Sequence, residues 1–496
     1  MARFFEYCLS NSSPREFCAL FGICGGPARQ DAAEEAYLGL YALQHRGQES
    51  AGIAAGDGKI VTLHKGMGLV RTVFADPGTM AELRGNVAIG HTRYSTTGAS
   101  GIVNAQPVLI QFKKGQLAAA HNGNLVNAAE LRARLEDSGS IFQTTSDSEV
   151  VLHLIARSRK ATLPEMIADA LLQVQGAYCF LFLAPGQLIA ARDPHGFRPL
   201  CIGRNRDALV VASESCALDI IKAEYVRSVE PGEMVVMTAT PAGPPKVETV
   251  RLPSAPRRAF CIFEFVYFAR PDSRIFEEKV DKIRRSFGRQ LAREHPCHAD
   301  IVIAVPDSAN TAALGYAEES GIKFEMGLIR NHYVGRTFIR PDQHERDLDV
   351  RVKFNPVAGV LKGKRVVVIE DSIVRGTTLM QLVKLVRTAG PAEVHVRVSS
   401  PQIRFPCYYG IDMSRSEELI GASHPVEEVR RFVGADSLGH LSIEGMLKCV
   451  AEPGNYCTCC FSGDYPTPIP NGFDKEQFEI GRSQAQCESC GSEGKP

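Results

Sequence analysis

The sequence predicts two folds in series, a sheet-rich α+β first half and an α/β second half built on a parallel sheet. Three observations carry this. The chain has 496 residues, more than a single hydrophobic core organises. Between residues 176 and 213, short apolar runs such as Gly176-Ala-Tyr-Cys-Phe-Leu-Phe-Leu and Leu209-Val-Val-Ala-Ser213 alternate with turn signals, as in a layer of short strands. Further on, a β-branched run, an acidic turn and a helical stretch occur twice, at 299–319 and 365–389, and strands alternating with helices of this length pair in parallel.

Composition narrows the function. Lys+Arg and Asp+Glu both number 56, so charge favours neither nucleic acid nor an anionic membrane as the main partner. No apolar run is long enough to span a bilayer, and the opening MARFFEYCLSNSSPREF is a poor secretory signal. A reducing cytoplasm fits best, and 15 cysteines then argue for metal, catalysis or burial rather than a disulfide framework.

Residues 1–17 carry no periodicity. Cys18-Ala-Leu-Phe-Gly-Ile reads as an edge of a hydrophobic strand, and a helical stretch follows from about residue 31 into Gln44-His-Arg-Gly-Gln-Glu-Ser-Ala-Gly52. Polar clusters then close apolar runs at His91-Thr-Arg93-Tyr-Ser-Thr96, His121-Asn122-Gly123-Asn124-Leu125 and Thr145-Ser-Asp147-Ser-Glu149, where loops gather around a site. Each has a plain alternative. Cys18 could be a core thiol, Arg93 a solvated surface charge, Asn122-Gly123 a hairpin turn and Asp147 a helix N-cap. Asp193-Pro-His-Gly-Phe-Arg198-Pro and Glu230-Pro-Gly-Glu233 read as turns without chemistry, and the loose, Pro-rich region at 238–258 is the best boundary.

The second half opens with Cys261-Ile-Phe-Glu-Phe-Val-Tyr-Phe-Ala-Arg270, a basic helix at 279–294 and a strand at 299–305 that ends in Pro306-Asp307-Ser308. The most informative stretch is Val366-Val-Val-Ile-Glu370-Asp371-Ser372-Ile-Val374-Arg375-Gly376-Thr377-Thr378. Its β-branched run is a buried parallel strand, and ligands of open α/β sheets bind beyond such carboxyl ends. The turn's N–H groups at a helix start suit a phosphate, whereas Glu370 and Asp371 need ribose hydroxyls or magnesium. Together they describe a phosphorylated sugar held at both ends; the bland alternatives are a generic strand–turn–helix with an exposed acidic pair and, for the whole half, a nucleotide-binding or generic α/β module. Another buried strand is expected at 393–400. Arg330-Asn-His-Tyr333-Val-Gly335-Arg336-Thr-Phe338-Ile-Arg340 groups aromatics and arginines around a glycine, as in a lid over an anionic substrate.

The run at 366–378 resembles the phosphoribosylpyrophosphate-binding motif of type I phosphoribosyltransferases, and within them the amidophosphoribosyltransferases. The motifs of residues 18–250 resemble the glutaminase domain of class II, N-terminal-nucleophile amidotransferases. This resemblance implies a four-layer αββα glutaminase domain at 18–250, a phosphoribosyltransferase domain with a parallel sheet at 260–450 and a cysteine-containing tail at 451–496. It also implies that residues 1–17 are a propeptide, removed to make Cys18 the first residue.

Cys18 would then supply the nucleophile and, in a free α-amino group with a pKa of roughly 8, the base. By the same resemblance Asn122 and Gly123 are the oxyanion donors, and Arg93 and Asp147 bind the carboxylate and ammonium of glutamine. Ser308, Glu370 and Asp371 become the magnesium-associated residues, with one Mg2+ per subunit. Phosphoribosylpyrophosphate would be held by Glu370, Asp371, Ser372, Val374, Arg375, Gly376, Thr377 and Thr378, with Tyr333 and Arg336 from the lid. The implied product is 5-phosphoribosylamine, the committed intermediate of purine nucleotide synthesis. Ammonia must reach it through a dry passage, since in water it is mostly ammonium. The rivals are a nucleotide-sensing homologue with a dead glutaminase and a class II amidotransferase with another acceptor. A cytoplasmic homotetramer inhibited by purine nucleotides is also implied.

Cys457-Thr-Cys459-Cys460 and Cys487-Glu-Ser-Cys490 read locally as the two pairs of a zinc ribbon, over a gap longer than usual. The family offers another pairing, one 4Fe-4S cluster per subunit on Cys261, Cys407, Cys457 and Cys460. Cys459 is an in-line alternative to either neighbour, and this pairing leaves Cys487 and Cys490 unexplained.

Overall fold

Small and branched apolar residues at alternating positions fold the first half into two antiparallel sheets packed face to face. In the computed structural model, the described residues are 18–27, 29–93, 101–253, 255–332, 350, 352–413, 415–470 and 473. One sheet has seven strands in the spatial order Glu224–Ser228, Cys201–Asn205, Ala208–Ala212, Ala19–Cys24, Val87–Arg93, Ser50–Gly56 and Val61–Met67. The other has six, in the order Lys246–Arg251, Glu233–Thr238, Gln187–Arg192, Gly176–Ala184, Gly115–Leu125 and Val108–Phe112.

Leu20, Ile89, Leu181, Leu183 and Leu188 fill the space between the sheets. The helix Ala32–Ala42 covers the outer face of the first sheet, where Ala36 and Leu40 meet Phe21. Helices Ala128–Asp137, Ser148–Arg157 and Leu163–Leu171 cover the second, and the four layers expected of the glutaminase fold follow.

Three local expectations need correction. Ala19–Cys24 is no edge: it is the fourth of seven strands, buried throughout, because the helix Ala32–Ala42 covers the Phe21 face and the second sheet covers the Leu20 face, with Leu181 and Leu188 closing on Gly22. The helical stretch ends at Ala42. After a 3-10 turn at Gln44–Arg46, Ser50–Gly56 is a strand paired on both sides: its two glycines disfavour a helix, and pairing along both edges overrides the helix preference of its three alanines. Within the loose region at 238–258, Lys246–Arg251 is an edge strand. Its exposed charges obscure the strand pattern in the sequence and protect the sheet edge from pairing with another chain.

The second half carries a four-stranded parallel sheet in the order Ile301–Ala304, Arg365–Glu370, Glu393–Val398 and Ser437–His440, with Ile303 opposite Val368 and Val368 opposite Val396. Helices Val280–Glu294, Asn310–Ser320 and Thr377–Arg387 accompany it. Among the described residues no helix is long and apolar enough to cross a membrane.

The halves share one apolar core, in which Val126, Ala177 and Phe197 of the first pack with Phe263, Phe265, Cys407 and Tyr409 of the second. Inside this joint runs a buried ion-pair network. Arg46 bonds Glu214 and Glu264, and Arg198 reaches Glu264 at 3.3 Å. Burial opposes the charge of Glu214, but His45 and Arg46 outweigh it and hold the carboxyl well below its usual range.

Candidate active site

At the first centre, neighbouring strand ends bring the sequence motifs together. Ala19 lies opposite Thr92, which sets Cys18 level with Arg93, and Ser50 lies opposite Arg93 on the far side. Cys18 and Arg93 are both buried, so Arg93 is no solvated surface charge; its Nη1 bonds Glu49 at 2.9 Å. His91, two residues before Arg93, donates from Nε2 to the carbonyl of His121 in the other sheet, at 3.1 Å. That bond places Asn122 beside the Cys18 end of the first sheet.

Asn122-Gly123 is not a hairpin turn but part of the strand Gly115–Leu125. Asn122 is 1% exposed, and neither Oδ1 nor Nδ2 has a partner. An unsatisfied buried polar group costs about 1–3 kcal/mol, and such groups persist where a ligand will use them. The N–H groups of His121 and Leu125 point to the outer strand edge, where Gln106 Oε1 and Asp147 Oδ2 accept them at 2.6 and 2.9 Å. Alternation sends the Gly123 N–H to the same edge, between them. A Cβ at Gly123 would lie 2.0 Å from the Ala177 carbonyl oxygen, so only glycine fits.

Asp147 precedes the helix Ser148–Arg157 but does not cap it with its side chain. Burial opposes its charge, yet His121, the Leu125 N–H and Ser148 prevail and hold the carboxyl below its usual range.

At the second centre, Glu370 and Asp371 are buried at the carboxyl end of a central parallel strand, not exposed as a generic turn would have them. Ser308, from the facing loop, donates to Asp371 Oδ2, and Ser372 to Oδ1. Burial, and then the adjacent Asp371, push Glu370 well above the usual carboxylate range; burial also raises Asp371 despite Ser308, Ser372 and Arg284. Two buried adjacent acids with hard oxygen donors suit a divalent cation.

Gly376, left-handed at φ 77°, turns the chain into the helix Thr377–Arg387, and the buried Thr377 hydroxyl has no partner. Arg375 bonds Glu418, and Val374 accepts from the Ile420 N–H at 2.9 Å. Thr378 opens the second position of the same helix. Tyr333 and Arg336 lie outside the described residues.

Four cysteines singled out by the sequence also converge. Cys261 pairs with Cys457 in a short parallel bridge, and Arg404 and Phe405, just ahead of Cys407, donate backbone N–H groups to the Cys460 carbonyl at 2.9 and 3.1 Å. Cys459 joins them, its thiol bonding those of Cys407 and Cys457, the latter at 3.4 Å. All five are buried free thiols, and Cys487 and Cys490 lie outside the described residues. Among the described residues, no three His, Cys, Asp or Glu side chains close around a single metal ion.

Sequence reasoning missed how the centres are joined. The turn at 193–199, read in the sequence as a turn without chemistry, carries Arg198, which donates from Nη2 to the Tyr409 carbonyl at 2.7 Å, across the joint. Asn124 donates to the Tyr408 carbonyl at 2.8 Å. A π-helical turn, Glu264–Phe268, carries the buried Glu264 at one end, and its Tyr267 hydroxyl is raised by burial and then by Asp371 and Glu370. Arg284 fixes that turn through the carbonyls of Phe265 and Ala269 at 2.6 and 2.8 Å.

Residues 91–219 match the glutamine amidotransferase domain family. The chain is 49% identical over 460 residues to the amidophosphoribosyltransferase of Bacillus subtilis, covering 92% of this chain and 95% of that one. It is 47% identical over 480 residues to that of Methanothermobacter thermautotrophicus, covering 96% and 99%. The solved glutamine phosphoribosylpyrophosphate amidotransferase of B. subtilis, complexed with ADP and GMP, matches with a TM-score of 0.86 at 48% identity, covering 92% of this chain and 99% of that one. At nearly half identity over almost the whole of these relatives, the chain belongs to the amidophosphoribosyltransferase family.

Proposed function

We propose the following assignment of residues to the amidophosphoribosyltransferase reaction. Glutamine supplies ammonia to C1 of phosphoribosylpyrophosphate, giving 5-phosphoribosylamine, glutamate and pyrophosphate, the first committed step of purine synthesis. Cys18, exposed as the first residue by removal of 1–17, attacks the side-chain amide of glutamine while its own α-amino group takes the thiol proton. That proton passes to the departing ammonia, and a γ-glutamyl thioester remains for water to hydrolyse. Asn122 Nδ2 and the Gly123 N–H receive the oxyanion, Arg93 the α-carboxylate, and Asp147 with the Gly123 carbonyl the α-ammonium. The observation that carries this reading is the buried, unpartnered amide of Asn122 beside the Cys18 strand end.

At the second centre, the N–H groups of 372–378 and the Thr377 hydroxyl cradle the 5-phosphate, while Glu370 and Asp371 face the ribose hydroxyls. Glu370 and Asp371, with Ser308, would hold Mg2+, which would supply positive charge to offset that of the pyrophosphate leaving group. Tyr333 and Arg336 are assigned to the lid that closes over the substrate. Ammonia crosses to C1 within the joint; support comes from the turn Glu264–Phe268, whose Glu264 pairs with Arg46 and Arg198 of the first half and whose Tyr267 lies within electrostatic range of Asp371 and Glu370.

Cys261, Cys407, Cys457 and Cys460 are assigned to a 4Fe-4S cluster, which supplies a covalent clamp on the tail rather than electron transfer. Their burial and convergence from three separate stretches support this. The assembly is assigned as a cytoplasmic homotetramer inhibited by purine nucleotides, the latter supported by the ADP- and GMP-bound relative.

The test is Cys18→Ser. It abolishes glutamine-dependent synthesis and leaves ammonia-dependent synthesis at the parent rate; loss of both in a folded protein overturns the division of labour.

A further inference from the structure

We propose that Tyr408-Tyr409-Gly410, which follows Cys407 in the second half, is a positioning strap that fixes the Gly123 backbone and thereby aims the Asn122–Gly123 donor pair. The proposal rests on the oxyanion reading given above. Beyond Ala119, the strand Gly115–Leu125 loses its partner Val108–Phe112 and is paired on one side alone, by Gly176–Ala184. The donor pair therefore stands where its own sheet holds it from one edge, and the second half supplies further support.

Three anchors hold the strap. Tyr408 accepts from Asn124 Nδ2 at 2.8 Å, although 284 residues separate them. Tyr409 accepts from Arg198 Nη2 at 2.7 Å, and its ring stacks on Phe197 at 4.1 Å. Gly410, at φ 103°, presses its backbone on the donor strand: a Cβ there would lie 3.2 Å from the Gly123 carbonyl carbon and 3.3 Å from its oxygen. Adjacent Cys407, fixed by its N–H to the Met413 carbonyl at 2.8 Å, ties the strap to the cysteine centre. Displacing a catalytic group by ~1 Å can slow a reaction about a hundredfold, so contacts this close to Gly123 bear on rate.

Two variants test the strap, Asn124→Ala, which removes the donor to Tyr408, and Gly410→Ala, which sets a methyl against Gly123. In each, kcat for glutamine-dependent synthesis falls about ten- to a hundredfold; KM for glutamine stays within about twofold of the parent in Asn124→Ala and rises in Gly410→Ala, whose methyl also crowds the Gly123 carbonyl assigned to the α-ammonium. Ammonia-dependent synthesis stays at the parent rate while Tm falls by only a few degrees, as the backbone strain of Gly410→Ala and the unpaired Tyr408 carbonyl of Asn124→Ala require. Iodoacetamide alkylates Cys18 at the parent rate, whereas inactivation by a glutamine-like diazoketone, whose carbonyl oxygen needs the same donors, slows in step with kcat. A glutamine-dependent kcat within twofold of the parent in both variants overturns the strap, as does a lowered Tm with parallel loss of both activities. Asn122→Ala separates the two readings. If it leaves kcat intact, the oxyanion assignment fails; if it lowers kcat while the strap variants do not, the strap alone fails.

Discussion

The imidazole of His91 donates from Nε2 to the backbone carbonyl of His121 at 3.1 Å, a bond that ties the sheet carrying Arg93 to the sheet carrying Asn122. Burial pushes the His91 imidazole down to about 3, only partly opposed by that bond, so the ring is neutral at physiological pH. A histidine whose folded pKa is depressed contributes stability that is complete above its unfolded value, about 6.5, and is lost as pH falls from there toward the folded value. His91→Gln, which removes the titrating ring, should reduce the acid slope of unfolding free energy by about 1.4 kcal/mol per pH unit over that window. Urea unfolding at pH 7, 6 and 5 checks this; identical slopes in parent and variant refute it.

Glu370 and Asp371 behave in the opposite sense. Burial raises both, so their contribution is full below the unfolded carboxylate range and is lost as pH rises toward their folded values. A divalent cation removes that loss by stabilising the ionised pair, and its binding releases protons. Mg2+ should therefore raise Tm more at pH 8 than at pH 5, with proton release visible in a weakly buffered titration. Asp371→Asn should suppress both responses. A Tm increment independent of pH counts against the pair as the magnesium site.

Glu264 is the shared acceptor of two buried arginines from the other half. Glu264→Gln keeps the shape and deletes the charge, leaving Arg46 and Arg198 undercompensated in a dry joint. Removing one partner of such a pair typically costs about 3–5 kcal/mol, and a loss of that order is expected in guanidinium unfolding. A change below about 1 kcal/mol would show that water already reaches the network.

Protein purified without oxygen should carry iron and sulfide in equal amounts and absorb broadly in the visible. Cys407→Ser and Cys460→Ser should each remove that absorption and lower Tm. Stoichiometric zinc without iron would instead revive the local pairing of Cys457 and Cys460 with the terminal cysteines.

What the sequence disclosed follows from the range of the interactions. The strand, acids and turn at 365–378 are legible because a β-branched run and a helix start lie within fourteen residues, and local periodicity encodes both. The edge strand Lys246–Arg251 is hidden, since its exposed charges mimic a loop among prolines. Arg93 and Asp147 are nameable from their motifs, but their burial is set by strands far away in the chain. Least legible are Asn124 with Tyr408 and Arg198 with Tyr409, because no periodic signal relates residues more than two hundred positions apart.

The charges of Arg46 and Arg198 also restrict how these two catalytic halves can be shuffled. Both guanidinium groups rely on a carboxylate that belongs to the opposite half, Glu264. A glutaminase module transplanted from this chain onto a foreign acceptor enzyme would bury two cations without that counterion. Such a chimaera has to import the Glu264 turn along with the module, or exchange Arg198 for a neutral residue and leave Arg46 to Glu214 alone.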